Sequence, residues 1–222
     1  MIKKFYNQID RITTLFIENG VSVDQNYPVR NGNKIYWDGF SDISYILKSE
    51  KKYETIYSEI RKKKDFNILF LDGAIFQFMY EFDFKGNDII KQRLAYFPNI
   101  NTQILENVEE YSKNHYDSVE LFSDINVKKD LVCPVHFDFD NDKSKYKESK
   151  HTYSHCTIAN YKNCRIPVSS PITPYRFIQF ILKNFYNELY EKDYKRKFEC
   201  SIPMKNFLTP MEKREMHLFF DC

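Results

Sequence analysis

Apolar side chains recur in two rhythms along this chain: every three or four positions near both ends, and every second position through the middle. Between Lys3 and Asn19 the apolar set is Phe5, Ile9, Ile12, Leu15 and Phe16, which predicts a helix with one buried face, stopped by Gly20. A second helical stripe, Ile43, Ile46, Leu47, Tyr53, Ile56, Tyr57 and Ile60, predicts helix from about Ser41 to Lys64 with an interruption near Ser49. The third begins at Thr173-Pro174, a cap followed by a proline in the first turn, and its stripe is Phe177, Ile178, Ile181, Leu182, Phe185 and Leu189. Asn101 to Asn114 also reads as helix, and His115 to Lys129 as a connection.

The middle of the chain alternates instead. FNILFLDG (Phe66–Gly73) and AIFQFMYEFD (Ala74–Asp83) predict two strands joined by a hairpin turn at Asp72-Gly73, and RLAYFPNI (Arg93–Ile100) a third strand broken by Pro98. Near the N-terminus, KIYW (Lys34–Trp37) predicts a brief strand after the turn formers Asn31, Gly32 and Asn33. VHFDFD (Val135–Asp140) sets Val135, Phe137 and Phe139 on one face and His136, Asp138 and Asp140 on the other. YSHCTIAN (Tyr153–Asn160) predicts a strand paired with it, after the polar loop Asn141–Lys150. Thr209-Pro210-Met211-Glu212 reads as a capped helix start, and HLFF as a last strand. These elements predict one α+β domain. A mostly antiparallel sheet is covered by helices over 3–19, 41–64 and 173–190, in a chain divided into a helical part (1–64), a sheet and core (65–190) and a C-terminal extension (191–222).

Composition changes this picture little. Aromatic residues make up 17% of the 222, with 20 Phe and 17 Tyr against 5 Gly, so the interior is built from rings. Charges nearly cancel at +2, which removes the global field of a dedicated nucleic-acid binder. RKKK (Arg61–Lys64) reads as favourable charge at a helix end rather than a phosphate patch. Five irregularly spaced cysteines fit reduced thiols. With no membrane-length apolar run and no secretion signal, the expectation is a cytoplasmic protein without a membrane partner.

The chemistry concentrates between Pro134 and Tyr186. In an extended segment His151, Tyr153 and His155 share a face, so the two histidines face Asp138 and Asp140 across a strand pair. Such a cluster suits either a divalent ion, Mg²⁺ or Mn²⁺, held by Asp138 and Asp140, or a metal-free acid–base pair acting on a phosphodiester. Arg165 would stabilise the developing negative charge. Histidines tied to carboxylates also serve simply to satisfy buried polar groups. Zinc on His151, His155, Cys156 and Cys164 has suitable ligand types at unsuitable spacing. Tyr153, Tyr161 and Tyr175 are candidate base-stacking rings. The phosphate-cradling, dinucleotide-binding and serine-elbow glycine motifs are absent from the sequence.

The succession of an acidic alternating strand, HxxSH, CRIPV and a TP-capped helix ending FIxFILxNFY resembles the uncharacterised bacterial family called domain of unknown function 2290. The resemblance runs from about Phe66 to Tyr190 and is carried by His151, Ser154, His155, Arg165, Pro167 and Phe185-Tyr186. It implies a gene of mobile elements or antiphage defence. A fainter similarity, an Asp-rich strand followed by a histidine pair, is to toxin families acting on RNA, with Thr152 where those motifs place proline. The resulting expectation is an RNA-directed nuclease effector with His151, His155 and Arg165 as catalytic residues. Its alternative is a non-catalytic subunit that assembles with a larger protein of a defence complex.

Overall fold

The computed structural model describes residues 1–40, 51–99, 133–148, 150–159, 164–199 and 202–220. Within them nine strands form one antiparallel sheet: β1 (Ser22–Gln25), β2 (Pro28–Asn31), β3 (Lys34–Trp37), β4 (Ile68–Phe70), β5 (Ile75–Phe82), β6 (Ile89–Phe97), β7 (Val135–Asp140), β8 (Ser154–Ile158) and β9 (Ile166–Pro167). The order is β1-β4-β5-β6-β7-β8-β9. A β2–β3 hairpin joins through β3 to the far half of β5, at Tyr80 and Glu81. Four α-helices complete the described residues: α1 (Ile2–Glu18), α2 (Tyr53–Lys62), α3 (Pro174–Phe185) and the single turn α4 (Asn187–Leu189).

Each long helix forms where the apolar stripe predicts it. α1 buries Phe5, Ile9, Ile12, Leu15 and Phe16 and ends with Gly20 at φ +66°, where the Gly20 and Val21 amides donate to the Ile17 and Phe16 carbonyls. Thr173 caps α3 by accepting from the Arg176 amide at 3.3 Å. The predicted 173–190 helix is not continuous. Tyr186 adopts φ −142°, ψ 52°, so α3 stops at Phe185, and a π turn over Tyr190–Tyr194 follows α4. The break turns the Tyr186 hydroxyl into the core, where it donates to Asp72 Oδ2 at 2.7 Å. Of the predicted 41–64 helix, 41–50 lies outside the described residues. So do the predicted helix at 101–114 and the connection at 115–129.

α1 and α3 cover one face of the sheet. There Phe76, Phe78, Tyr80 and Phe82 of β5, Leu94 and Tyr96 of β6, and Val135, Phe137 and Phe139 of β7 share a single cluster with the helix stripes. Rings meet edge-on, as in Phe5–Tyr80 at 4.9 Å and Phe78–Phe177 at 5.5 Å, and each such pair contributes about 0.5–1.5 kcal/mol beyond area burial. α2 lies on the opposite face. It covers one end of that face, packing Ile56, Tyr57 and Ile60 on Ile75, Ala95 and Phe97.

The β4–β5 hairpin turns where predicted. Asp72 Oδ1 accepts the Ala74 amide, and Gly73 sits at φ +82°, where a Cβ would lie 2.8 Å from Asn99 Nδ2. β1 and β2 were not anticipated, and β6 begins at Ile89 rather than Arg93. HLFF forms only a parallel bridge between Leu218 and Val168 rather than a strand. The capped start at Thr209 holds one 3₁₀ turn, Glu212–Arg214, in a reciprocal box: Thr209 N donates to Glu212 Oε2 and Glu212 N to Thr209 Oγ1. No helix among the described residues is long and apolar enough to cross a membrane.

Candidate functional site

Strand alternation places the ionisable side chains of β6, β7 and β8 on the face away from α1 and α3, and the register lines them up. Arg93 lies opposite Asp138, and Asp138 opposite His155, in one cross-strand row. The next row toward α2 holds Ala95, His136 and Thr157; on the other side Lys91 lies opposite Asp140. The face therefore grades from apolar under α2 to charged beyond it.

Arg93 Nε donates to Asp138 Oδ1 at 3.3 Å, with the two side chains 26% and 31% exposed, so the pair is shielded yet still reaches solvent. His155 is 7% exposed. Its Nδ1 lies 3.3 Å from the Thr152 carbonyl. A carbonyl only accepts, so this contact places the proton on Nδ1 and leaves the Nε2 lone pair to act as a base. The His151 ring centroid is 5.5 Å from that of His155, at 67°. His136 meets the Phe97 ring edge-on at 4.9 Å.

These surroundings set the charges. Burial holds the His136 imidazole down at about 4, with Arg93 and His155 adding to the effect against Asp138. Burial likewise lowers His155, where Asp138 opposes and Arg165 reinforces, and it lowers His151, again reinforced by Arg165. For Asp138 burial acts to raise the carboxyl. Arg93, then His155 and His136, outweigh it and bring the group below its ordinary value. Near neutral pH the cluster is thus an anionic carboxylate among neutral histidines and cationic arginines.

The predicted residues divide. His151, His155 and Asp138 come together as expected, although β8 begins only at Ser154 and His151 sits in the preceding turn. There Lys147 and His151 exchange backbone hydrogen bonds of 2.9 and 2.7 Å. Asp140 is paired with Lys145, at 2.8 Å, and accepts the Asp142 amide, while its charge still acts on His151 alongside that of Asp138. Among the described residues no three His, Cys, Asp or Glu side chains converge in a way that would hold a metal ion. Cys156 follows His155 in β8, so it points to the aromatic core instead, and burial pushes its thiol up to about 12. Arg165 Nη1 donates to the Lys150 carbonyl at 3.0 Å, bracing the turn that carries His151.

Tyr153 was expected beside the histidines. It stacks on Tyr146 at 4.5 Å and packs against Phe207, because the strand has not yet begun at that position. Tyr175 is likewise taken up by Phe198, and Tyr161 lies outside the described residues. Sequence reasoning missed Arg93 and His136 as site residues. Arg93 carried a legible signal as a lone charge on the polar side of RLAYF, but its partner lies 45 positions away and only the register reveals it.

Fold and face together define the class: an α+β protein bearing a His/Asp/Arg cluster on the face of an antiparallel sheet opposite its main helical layer. The chain belongs to the family described as Uncharacterized conserved protein (DUF2290), whose model matches residues 21–220. No curated protein and no solved structure matches it.

Proposed function

We propose that this protein is an RNA-directed nuclease effector of a bacterial defence system, cutting by metal-free acid–base chemistry on the β7–β8 face. The observation that carries the reading is the His155 imidazole, fixed by the Thr152 carbonyl with Nε2 free, opposite Asp138 and 5.5 Å from His151. His155 Nε2 takes the proton of the 2′-hydroxyl as the 2′-oxygen bonds to phosphorus. The P–O5′ bond breaks, and the leaving oxygen takes its proton from His151, the more exposed of the pair, in the minor fraction of molecules that carry it protonated near neutral pH. Asp138 stabilises the imidazolium formed on His155. Arg165 adds positive charge beside both histidines and holds their loop.

The test is incubation of the purified chain with end-labelled RNA and matched DNA, with Mg²⁺, with Mn²⁺ and with chelator. The expected result is RNA cleavage to 2′,3′-cyclic phosphate ends in chelator, lost in a folded H151A/H155A double variant. Cleavage only with added ion would overturn the metal-free route.

A second reading, a non-catalytic subunit of a larger defence complex, is favoured by a separate observation. The C-terminal segment exposes Met211, Met216 and Phe219, and a depression of about 440 Å³ beside it is lined by Glu148, Pro210, Met211, Arg214 and Glu215. Inert RNA together with stoichiometric co-purification of a larger protein from the host would replace the first reading with this one.

A further inference from the structure

We infer that Arg93 is the anchor of a phosphate-binding site on this face, its guanidinium holding the anion between His136 and His155 while Asp138 orients it. The inference deepens the proposed reading by naming the group that would hold the substrate's phosphate. Its binding test does not depend on cleavage.

A guanidinium carries five N–H donors in a fixed fork. Arg93 uses Nε on Asp138 Oδ1, and its Nη1 and Nη2 donors have no hydrogen-bond partner among the described residues. The carboxylate thereby fixes the plane of the fork and leaves its far edge open, the geometry in which arginine binds phosphate oxygens in pairs. At 26% exposure the group is shielded enough for its charge to count and still reachable by a ligand. His136 lies one row away, and its ring nitrogens also have no hydrogen-bond partner among the described residues. A neutral imidazole N–H donates to phosphate without competing for Arg93. Arg165 is worse placed for this task, because one Nη is committed to the Lys150 carbonyl.

As a structural brace alone, a partly exposed Arg–Asp pair contributes little to stability. The two roles differ in their response to Asp138. In a phosphate site the carboxylate repels the bound anion, so removing its charge strengthens binding even though Arg93 loses its brace.

The experiment titrates the full chain separately with inorganic phosphate and with thymidylyl-thymidine, a phosphodiester that lacks the 2′-hydroxyl and cannot be cut by this route. Chemical shifts of the histidine rings report binding, and circular dichroism checks each variant. Arg93→Gln is expected to weaken phosphate binding at least tenfold and Asp138→Asn to strengthen it several-fold, while Arg165→Gln, whose charge acts from beside the histidines, weakens it less than Arg93→Gln does. Binding of both probes assigns the site to a strand phosphate, and binding of inorganic phosphate alone to a free phosphate or monoester. Folded R93Q binding like wild type, or D138N binding no more tightly, overturns the inference. Phosphate held through Arg93 by a protein that leaves RNA intact overturns the nuclease reading and not this one. Cleavage that persists in R93Q with unaltered KM overturns this one alone.

Discussion

Two carboxylates in this molecule, Asp72 and Asp138, sit among aromatic and hydrogen-bonding neighbours and are resolved in opposite ways. Asp72, 5% exposed in the β4–β5 turn, accepts the Ala74 amide and the Tyr186 hydroxyl, and its own carbonyl accepts from Asn99 Nδ2. Because Tyr186 spends its proton on Asp72, the Tyr96 hydroxyl 3.1 Å away must donate to Tyr186. Burial raises both phenols well above their ordinary value, so they stay donors. That circuit is closed. Asp138, by contrast, meets an arginine with idle donors and histidines with idle lone pairs. A closed circuit fixes a turn and a helix break, whereas an open one retains binding capacity for a ligand.

The difference can be broken first at His155. His155→Ala should lower RNA cleavage by about 10²–10⁴-fold, the usual contribution of a positioned general base, and the folded fraction itself carries this loss, whatever the lost ring and its Thr152 hydrogen bond cost in stability. Initial rates and urea melts on the same preparation check this. Tyr186→Phe should do the reverse. It leaves Asp72 Oδ2 and the Tyr96 hydroxyl without their partner, costing about 1–3 kcal/mol of stability by urea unfolding while the folded fraction cleaves and binds phosphate as before. If Tyr186→Phe abolished activity without loss of stability, the Asp72 circuit would be the functional one.

Acid sharpens the contrast. His136, pushed down to about 4, is neutral in the folded protein at pH values where the unfolded chain, with a histidine pKa of roughly 6.5, takes up a proton. Its contribution to stability is therefore present above pH about 6.5 and is lost as pH falls toward about 4. His151 and His155, also lowered, add in the same direction. A pH series of unfolding free energies should show this slope, reduced in His136→Asn and unchanged in Tyr186→Phe. Cleavage should fall over the acid side too, since protonated His155 is no longer a base. The smallest effect is expected at Arg165→Gln, which removes the Lys150 hydrogen bond for at most about 1 kcal/mol and lowers kcat more than it raises KM by loosening the His151 turn.

Much of this is legible in the chain itself. Alternation in VHFDFD separated the core face of β7 from its ionisable face, and the Asp72-Gly73 signal located its hairpin, because both depend on neighbours within a few residues. The stripes of α1 and α3 were equally local. β1 and β2 escaped because SVDQ and PVRN are short and mostly polar, and their pairing with β4 and β3 supplies what their own side chains do not. The helix break at Tyr186 was hidden for a related reason. Its buried hydroxyl bonds Asp72, 114 positions earlier, and no local pattern announces that demand.

The sequence by itself determined which residues are apolar at which period, hence the helices, the central strands, and the concentration of His, Asp and Arg after Pro134. Tertiary structure decided which of those groups meet. Antiparallel register brought Arg93 to Asp138 and Asp138 to His155, sent Cys156 to the core, and left Asp140 to Lys145. The physical reason is that side-chain parity is a local property of a strand, whereas its register is set by how whole hydrophobic faces align across the sheet.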